Sequence, residues 1–360
     1  MAKLGELGKI ITGNTPKTSD AQNYESNDIC FVKPSDFTDN EITEIHQSEF
    51  YISAYAKDKA RVLPTDSILV TCIGIIGKVA INKVPCAFNQ QINAIVPEKK
   101  VCNPRYIAYA IQNLQPKMQS TANAAVVPIL NKTQFSNLEV PLLPVGEQKQ
   151  IACNLNKIDK LIFLRKQQLA KLDELVKAQF VEMFGDPVLN TKSLLVLTGR
   201  DFFKLSNGKA VPDEKRFEMG IPAYGGNGVS WYTDDALLNN DTLVVGRVGF
   251  QSGNVHFAKG PLWVTDNAMY ISWYDSKKYN LTFLHELMQQ IDFSRYQDAG
   301  DLKKITQKPF MNFEYIQPPM CQQNEFATFV ACVDQQKQTV QQSLEKLELM
   351  KKALMQEYFG

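Results

Sequence analysis

The sequence predicts an α+β protein written twice, each copy an α/β segment followed by a long helix. Three observations predict it. One constant offset relates distant stretches of the chain. Two stretches repeat apolar residues every 3.5 positions. Short apolar runs between turn signals fill the rest.

The offset is 175 residues. It pairs Pro144 with Pro319, Gln148 with Gln323, Ala152 with Ala327, Asp159 with Asp334, and Leu172 with Leu347. It lays Glu182-Met183-Phe184-Gly185 over Glu357-Tyr358-Phe359-Gly360. Upstream it lays Asp66-Ser67-Ile68-Leu69-Val70 over Asp241-Thr242-Leu243-Val244-Val245, and Gly74 over Gly249. One shift recurring at separated places marks an internal duplication, with halves near 1–186 and 187–360.

Each half ends in a helix. In the first, Ile151, Leu155, Ile158, Ile162, Leu169, Leu172 and Val176 fall on alternating steps of three and four, with Arg165 interrupting the stripe. In the second, Val330, Val333, Val340, Leu344 and Leu347 do the same, with Lys337 and Lys351 interrupting the stripe. A 3.5-residue apolar period marks a helix packed along another helix. Ile151, Leu155, Ile158, Leu169 and Leu172, with Val330, Val333, Leu344 and Leu347, are therefore expected at a helix–helix seam. Pro144-Val145-Gly146 and Pro318-Pro319 open the two helices, and Gly185-Asp186-Pro187 closes the first. Two such helices far apart in sequence can pair antiparallel, which gives two similar α/β domains separated by an antiparallel coiled coil with pseudo-twofold symmetry. The expected division is domain 1 over 1–143, helix 1 over 144–186, domain 2 over 187–317 and helix 2 over 318–360.

The shorter-period segments read as strands at 28–34, 67–73, 77–82 and 92–97, then at 242–248, 253–258 and 268–274. Residues 104–114, opened by a proline, and 281–291 read as short helices.

Composition narrows the class. Charge is nearly balanced, with 39 basic and 38 acidic residues, so the total alone points to neither nucleic acid nor membrane. The seven cysteines are scattered without a C-x-x-C pair, as expected of reduced thiols in a cytoplasmic protein. No run of about 18 apolar residues suggests a membrane span, and no signal peptide is expected.

Three motifs imitate catalytic sites. His285-Glu286 begins like H-E-x-x-H, but Gln289 stands where the second histidine belongs. Asn103-Pro104-Arg105-Tyr106 resembles the N-P-P-Y tetrapeptide of adenine-N6 methyltransferases, but Arg105 replaces a proline. Tyr224-Gly225-Gly226-Asn227-Gly228 lacks the ending of a phosphate loop and reads as a tight turn, or as a loop approaching a DNA backbone. No catalytic and no metal-binding residue is expected.

Amide and basic side chains remain as candidates for reading base edges and gripping phosphates. They are Asn14, Thr15, Lys17, Lys33, Lys78, Gln90, Asn131 and Lys132 in the first half. In the second they are Lys209, Tyr224, Asn227, Arg247, Lys303 and Lys304. A merely solvated role competes with this reading at every one. Lys303 and Lys304 stand out because the offset puts them over Pro128 and Ile129, which are uncharged. Two copies of one scaffold that read different sequences would show that pattern.

The stretches PLLPVGEQKQIA, IDKLIFLRKQQLAKLDELVKAQFVEMFGDP and the echo QPPMCQQNEFATFVACVDQ resemble the specificity (S) subunits of type I restriction-modification systems. LPTDSILVTCIGIIGKVAINKVPCAFNQQINAIVP and TLVVGRVGFQSGNVHFAKGPLWVTDNAMYIS carry the same resemblance. It covers essentially the whole chain. The second copy departs at one signature position, with Gln322 where Glu147 predicts an acid. The resemblance implies two target-recognition domains, each reading one half of a split, asymmetric DNA site. It implies conserved helices that set the spacer and dock two methylation subunits. A restriction/translocation subunit would join them. S-adenosylmethionine, ATP and Mg²⁺ would belong to those partners, and target adenines would be flipped out for methylation. Rival readings are a stand-alone DNA-modifying enzyme and an assembly scaffold that reads no sequence.

Overall fold

Each 3.5-residue repeat forms one uninterrupted helix of 40 residues, Val145–Phe184 and Met320–Phe359. The computed structural model describes residues 1–39, 41–122, 128–300 and 303–360. The chain divides into two units, residues 1–166 with 343–360, and residues 167–342. The division falls inside both long helices.

In the first unit a five-stranded sheet runs in the order β1-β9-β6-β7-β3. Its strands are β1 (Gly8–Thr12), β3 (Thr43–Ile45), β6 (Ile68–Thr71), β7 (Val79–Asn82) and β9 (Ile92–Pro97). All its pairings are antiparallel except that of β3 with β7. A smaller sheet contains β2 (Ile29–Val32), β4 (Tyr51–Ile52), β5 (Val62–Leu63) and β8 (Cys86–Phe88). Period-two alternation sorts the side chains. Ile68, Val70, Val79 and Ile81 face a core built with helix α1 (Pro104–Asn113). Leu69 and Ala80 face the other way, onto Val32, Cys86 and Phe88.

The second unit repeats the plan. A four-stranded antiparallel sheet has the order β10-β16-β13-β14, from β10 (Phe203–Asn207), β13 (Thr242–Gly246), β14 (Val255–Ala258) and β16 (Ala268–Tyr274). Leu243, Val245, Met269 and Ile271 face a core with helix α3 (Leu281–Gln289), and Val244 and Ala268 face the opposite side. A three-stranded sheet of β11 (Ile221–Gly225), β12 (Gly228–Thr233) and β15 (Trp263–Val264) completes the unit. Helix α2 (Lys132–Ser136) has its counterpart in Lys308–Asn312.

A buried glutamine fixes where each long helix starts. The Gln148 side-chain amide donates to Leu143 O at 2.7 Å and Val101 O at 3.0 Å, and its carbonyl accepts from Asn103 N–H at 2.8 Å. Gln323 donates to Pro318 O at 2.8 Å and Lys278 O at 3.0 Å, and accepts from Asn280 N–H at 2.9 Å. Both are fully buried. Asn103 and Asn280 in turn cap α1 and α3 with their side chains.

Each unit's core is completed by the far end of the helix that starts in the other unit. Met355 and Phe359 join the first core, where the rings of Phe359 and Tyr106 lie 5.1 Å apart. Phe180 and Phe184 join the second, packed on Phe283 and Phe326 at 4.9–5.8 Å. Phe180 and Met355, and Phe184 and Phe359, are related by the 175-residue offset. Within each unit the two helical stretches run antiparallel. In the first, Asp159 meets Lys351 at 2.7 Å and Lys166 meets Glu348 at 4.0 Å. In the second, Asp173 meets Lys337 at 2.6 Å, and Phe180 meets Phe326. Of the expected seam residues, Ile151, Leu155, Ile158, Leu172, Val330, Val333 and Leu344 are buried, while Leu169 and Leu347 are partly exposed. Among the described residues no helix is long and apolar enough to cross a membrane.

Phe184→Ala is expected to destabilise the fold by about 3–5 kcal/mol through cavity formation. Gln323→Ala should cost about 1–3 kcal/mol for each backbone group left unpaired. Denaturant unfolding of the full chain checks both, and unchanged midpoints would contradict these roles.

Candidate nucleic-acid interface

In each unit the expected reading residues gather at one end of the main sheet. In the first, that end carries the chain leaving β1, the β6–β7 loop and the turn before β9. Loop and neighbour are clipped by backbone bonds. Leu130 N–H donates to Cys72 O at 2.9 Å, Ile73 and Ile129 form an antiparallel bridge, and Gly74 N–H donates to Pro128 O at 3.1 Å. The second unit has the same clip. Ile305 N–H donates to Arg247 O at 3.0 Å, Val248 bridges Lys304, and Gly249 N–H donates to Lys303 O at 2.8 Å. Every residue of one clip lies 175 positions from its counterpart in the other. Gly74 and Gly249 take φ of 76° and 91°, a left-handed turn that disfavours other residues.

The side chains on this shared backbone differ. The first clip is uncharged, with Cys72, Pro128 and Ile129 where the second has Arg247, Lys303 and Lys304. Burial pushes the Cys72 thiol up to about 11, so it stays neutral. Arg247, Lys303 and Lys304 form no ion pair among the described residues, which leaves their charge available to an anionic ligand. Lys209 and Asn227 are exposed at the same end. Lys209 N–H donates to Val264 O at 2.8 Å. Asn227 lies in the turn joining β11 to β12, where Tyr224 is half-buried and burial raises its phenol. Gly226 holds that turn against the second clip, since a Cβ there would lie 3.2 Å from Val248 O.

Several expected contacts in the first unit are engaged internally. Asn14 accepts from Arg61 N–H at 2.9 Å and donates to Lys59 O at 2.8 Å, so its amide staples two loops. Asn131 caps α2 by accepting from Gln134 N–H at 2.9 Å. Lys78 pairs with Asp39 at 2.7 Å with its side chain only 13% exposed. Lys33 sits 3.1 Å over the Phe50 ring. Thr15 donates to Gln90 at 2.7 Å, and this pair is exposed, as are Lys17 and Lys132.

The three catalytic look-alikes have local roles. Asn103 caps α1 through Tyr106 N–H at 3.0 Å, and Arg105 pairs with Glu44 at 2.9 Å. His285 bonds Glu286 at 2.8 Å. Among the described residues no group of three or more metal-ligating side chains gathers.

Two residues at this end escaped sequence reasoning. Ile75 and Phe250 follow the left-handed glycines and project from the loop tips, 62% and 89% exposed. The offset that pairs Gly74 with Gly249 also pairs these two apolar residues, which was the available signal.

The chain matches the family described as type I restriction modification DNA specificity domain over residues 1–174 and 196–349. Among curated relatives, the type I restriction enzyme MjaIX specificity subunit of Methanocaldococcus jannaschii is 28% identical over 187 residues, covering 51% of this chain and 43% of that protein. The HindI specificity subunit of Haemophilus influenzae is 30% identical over 143 residues, covering 39% and 31%. The putative MjaX specificity subunit of Methanocaldococcus jannaschii is 25% identical over 312 residues, covering 78% and 73%. The chain thus spans less than half the length of the first two relatives. The solved S subunit of a type I restriction-modification system from M. genitalium is similar over 100% of this chain and 95% of that one, with a TM-score of 0.68 at 16% identity. A chain from a structure of a type I R-M system, described for its complex assembly and conformational transition, has a TM-score of 0.58 at 13% identity over 99% and 96%. This likeness establishes the fold.

Reversing the charge of Lys303 and Lys304 together should weaken DNA binding and reduce the slope of log affinity against log salt by roughly one to two. A salt titration of the double variant checks this, and an unaltered slope would remove both lysines from the interface.

Proposed function

The chain belongs to the type I restriction-modification DNA specificity family, and from that membership we propose that it is the sequence-recognition subunit of a type I restriction-modification complex. It binds a bipartite, asymmetric site in double-stranded DNA, one half read by each unit. It directs adenine-N6 methylation or restriction by partner subunits. The observation that carries the reading is the duplicated clip, which has one backbone geometry and two different sets of side chains. Arg247, Lys303 and Lys304 suit phosphate and base-edge contacts, whereas Cys72, Pro128 and Ile129 offer apolar and shape contacts. Two such faces select two different half-sites.

On this reading the chain itself is not catalytic. S-adenosylmethionine, ATP and Mg²⁺ act in two methylation subunits and a restriction/translocation subunit, in the cytoplasm where the DNA lies. The long helices serve as spacer and docking surface. Leu161, Phe163 and Leu164, all nearly half exposed on the first long helix, offer apolar area for a methylation subunit to cover. The near-neutral total charge fits a reader whose partners supply much of the phosphate contact.

Exchanging residues 1–140 for those of another family member should change one half of the methylated motif and leave the other intact. Sequencing of methylated DNA reads the result, and a change in both halves would contradict the modular reading. Methylation of DNA by the purified chain with S-adenosylmethionine, without partners, would show it to be an enzyme.

A further inference from the structure

Each loop tip presents one exposed apolar side chain, and in the second unit it stands beside a cationic clip. Phe250 is 89% exposed, yet the backbone on both sides of it in the loop is hydrogen-bonded. Gly249 N–H donates to Lys303 O at 2.8 Å, Ser252 N–H to Gly249 O at 3.0 Å, and Gly253 N–H to Gly246 O at 2.8 Å. From a neighbouring segment the Gln297 amide donates to Ser252 O at 2.7 Å. The first unit builds its tip the same way. Gly74 N–H donates to Pro128 O at 3.1 Å and Gly77 N–H to Thr71 O at 2.9 Å, while Gln115 and Gln119 donate to Ile76 O at 3.3 and 3.4 Å. Ile75 is 62% exposed on that tip. Both units thus use several hydrogen bonds to present one bare apolar group. The packed core of neither unit uses that group. In the second unit Arg247, Lys303 and Lys304 lie on the backbone segments clipped beside the tip.

We propose that Phe250 is a wedge that presses between two stacked base pairs of the half-site read by the second unit, while the flanking cations hold the phosphates on either side. The proposal rests on the DNA-reading function above. An apolar side chain inserted at a base step unstacks it and favours steps that deform easily, so Phe250 selects sequence through deformability as well as contact. Ile75, shorter and on a clip whose own residues Cys72, Pro128 and Ile129 are uncharged, packs on base edges such as a thymine methyl and leaves the stack closed.

The test uses the full-length chain assembled with its methylation subunits, carrying Phe250→Ala, Phe250→Leu or Ile75→Ala. 2-Aminopurine is placed at successive positions of each half-site, leaving out the target adenine. The wild-type complex should raise fluorescence at one step of the half-site read by the second unit and at none in the other. Phe250→Ala should abolish that signal and weaken cognate binding about tenfold or more, with an unchanged salt slope, because no phosphate contact is lost. Phe250→Leu should keep part of both effects, since an aliphatic wedge also unstacks. Ile75→Ala should weaken binding without altering fluorescence. At 89% exposure Phe250 supports no core, so the thermal midpoint should stay put. A silent Phe250→Ala beside a weakened Lys303 and Lys304 charge-reversal variant would overturn the wedge and leave DNA reading standing. If the wild-type complex cannot tell its cognate duplex from a scrambled one, the recognition reading itself falls. If Phe250→Ala releases a methylation subunit while DNA binding persists, the tip is a protein contact and the wedge is overturned.

Discussion

A side-chain amide that satisfies three backbone groups at once governs the layout of both units. Gln148 and Gln323 sit in the first turn of their long helices, buried, with every strong hydrogen-bonding direction toward backbone. Each ties the preceding linker, the start of the short core helix and the start of the long helix into one joint. Leaving such buried groups unpaired costs about 1–3 kcal/mol apiece, so the joint strongly favours one direction for the helix leaving each sheet domain. The long helices then have a fixed origin, and the rest of the assembly follows from their length.

With 40 residues each, the helices are long enough to leave the unit in which they start. Their far ends become core elements of the other unit, through Phe180 and Phe184 in one case and Met355 and Phe359 in the other. The two lysines that interrupt the apolar stripe find carboxylates on the neighbouring helix, Lys351 on Asp159 and Lys337 on Asp173. The Lys337 pair, with Asp173 largely exposed, adds little stability, whereas the Lys351–Asp159 pair is mostly buried, so losing one partner would leave the other charge uncompensated. Their use lies in register, since a heptad slip would separate each lysine from its acid.

Much of this was legible in the sequence because duplication leaves a numerical trace. The constant offset, the paired heptads and the strand-like runs each correspond to an element in both units. Even the departure from the family signature has a simple reason. Glu147 and Gln322 are exposed, so their identity is free to vary, whereas Gln148 and Gln323 beneath them are locked. The interface was less legible. Whether an amide such as Asn14 reads a ligand or staples a loop depends on Lys59 and Arg61, more than 40 residues away. The exposure of Phe250 likewise depends on a clip to residues 303–305. Local pattern carries no record of contacts at that separation. The division of the chain inside the long helices was hidden for the same reason, because it is set by which core the helix ends enter.

In the proposed function one duplicated scaffold reads two unlike half-sites and leaves the chemistry to partners. A comparison of adenine methylation across the genome of the host, with the gene intact and deleted, tests it most directly. Deletion should remove one motif made of two different specified halves separated by unread bases, with every other motif retained. A palindromic or continuous motif, or a methylation pattern that survives the deletion, would contradict it.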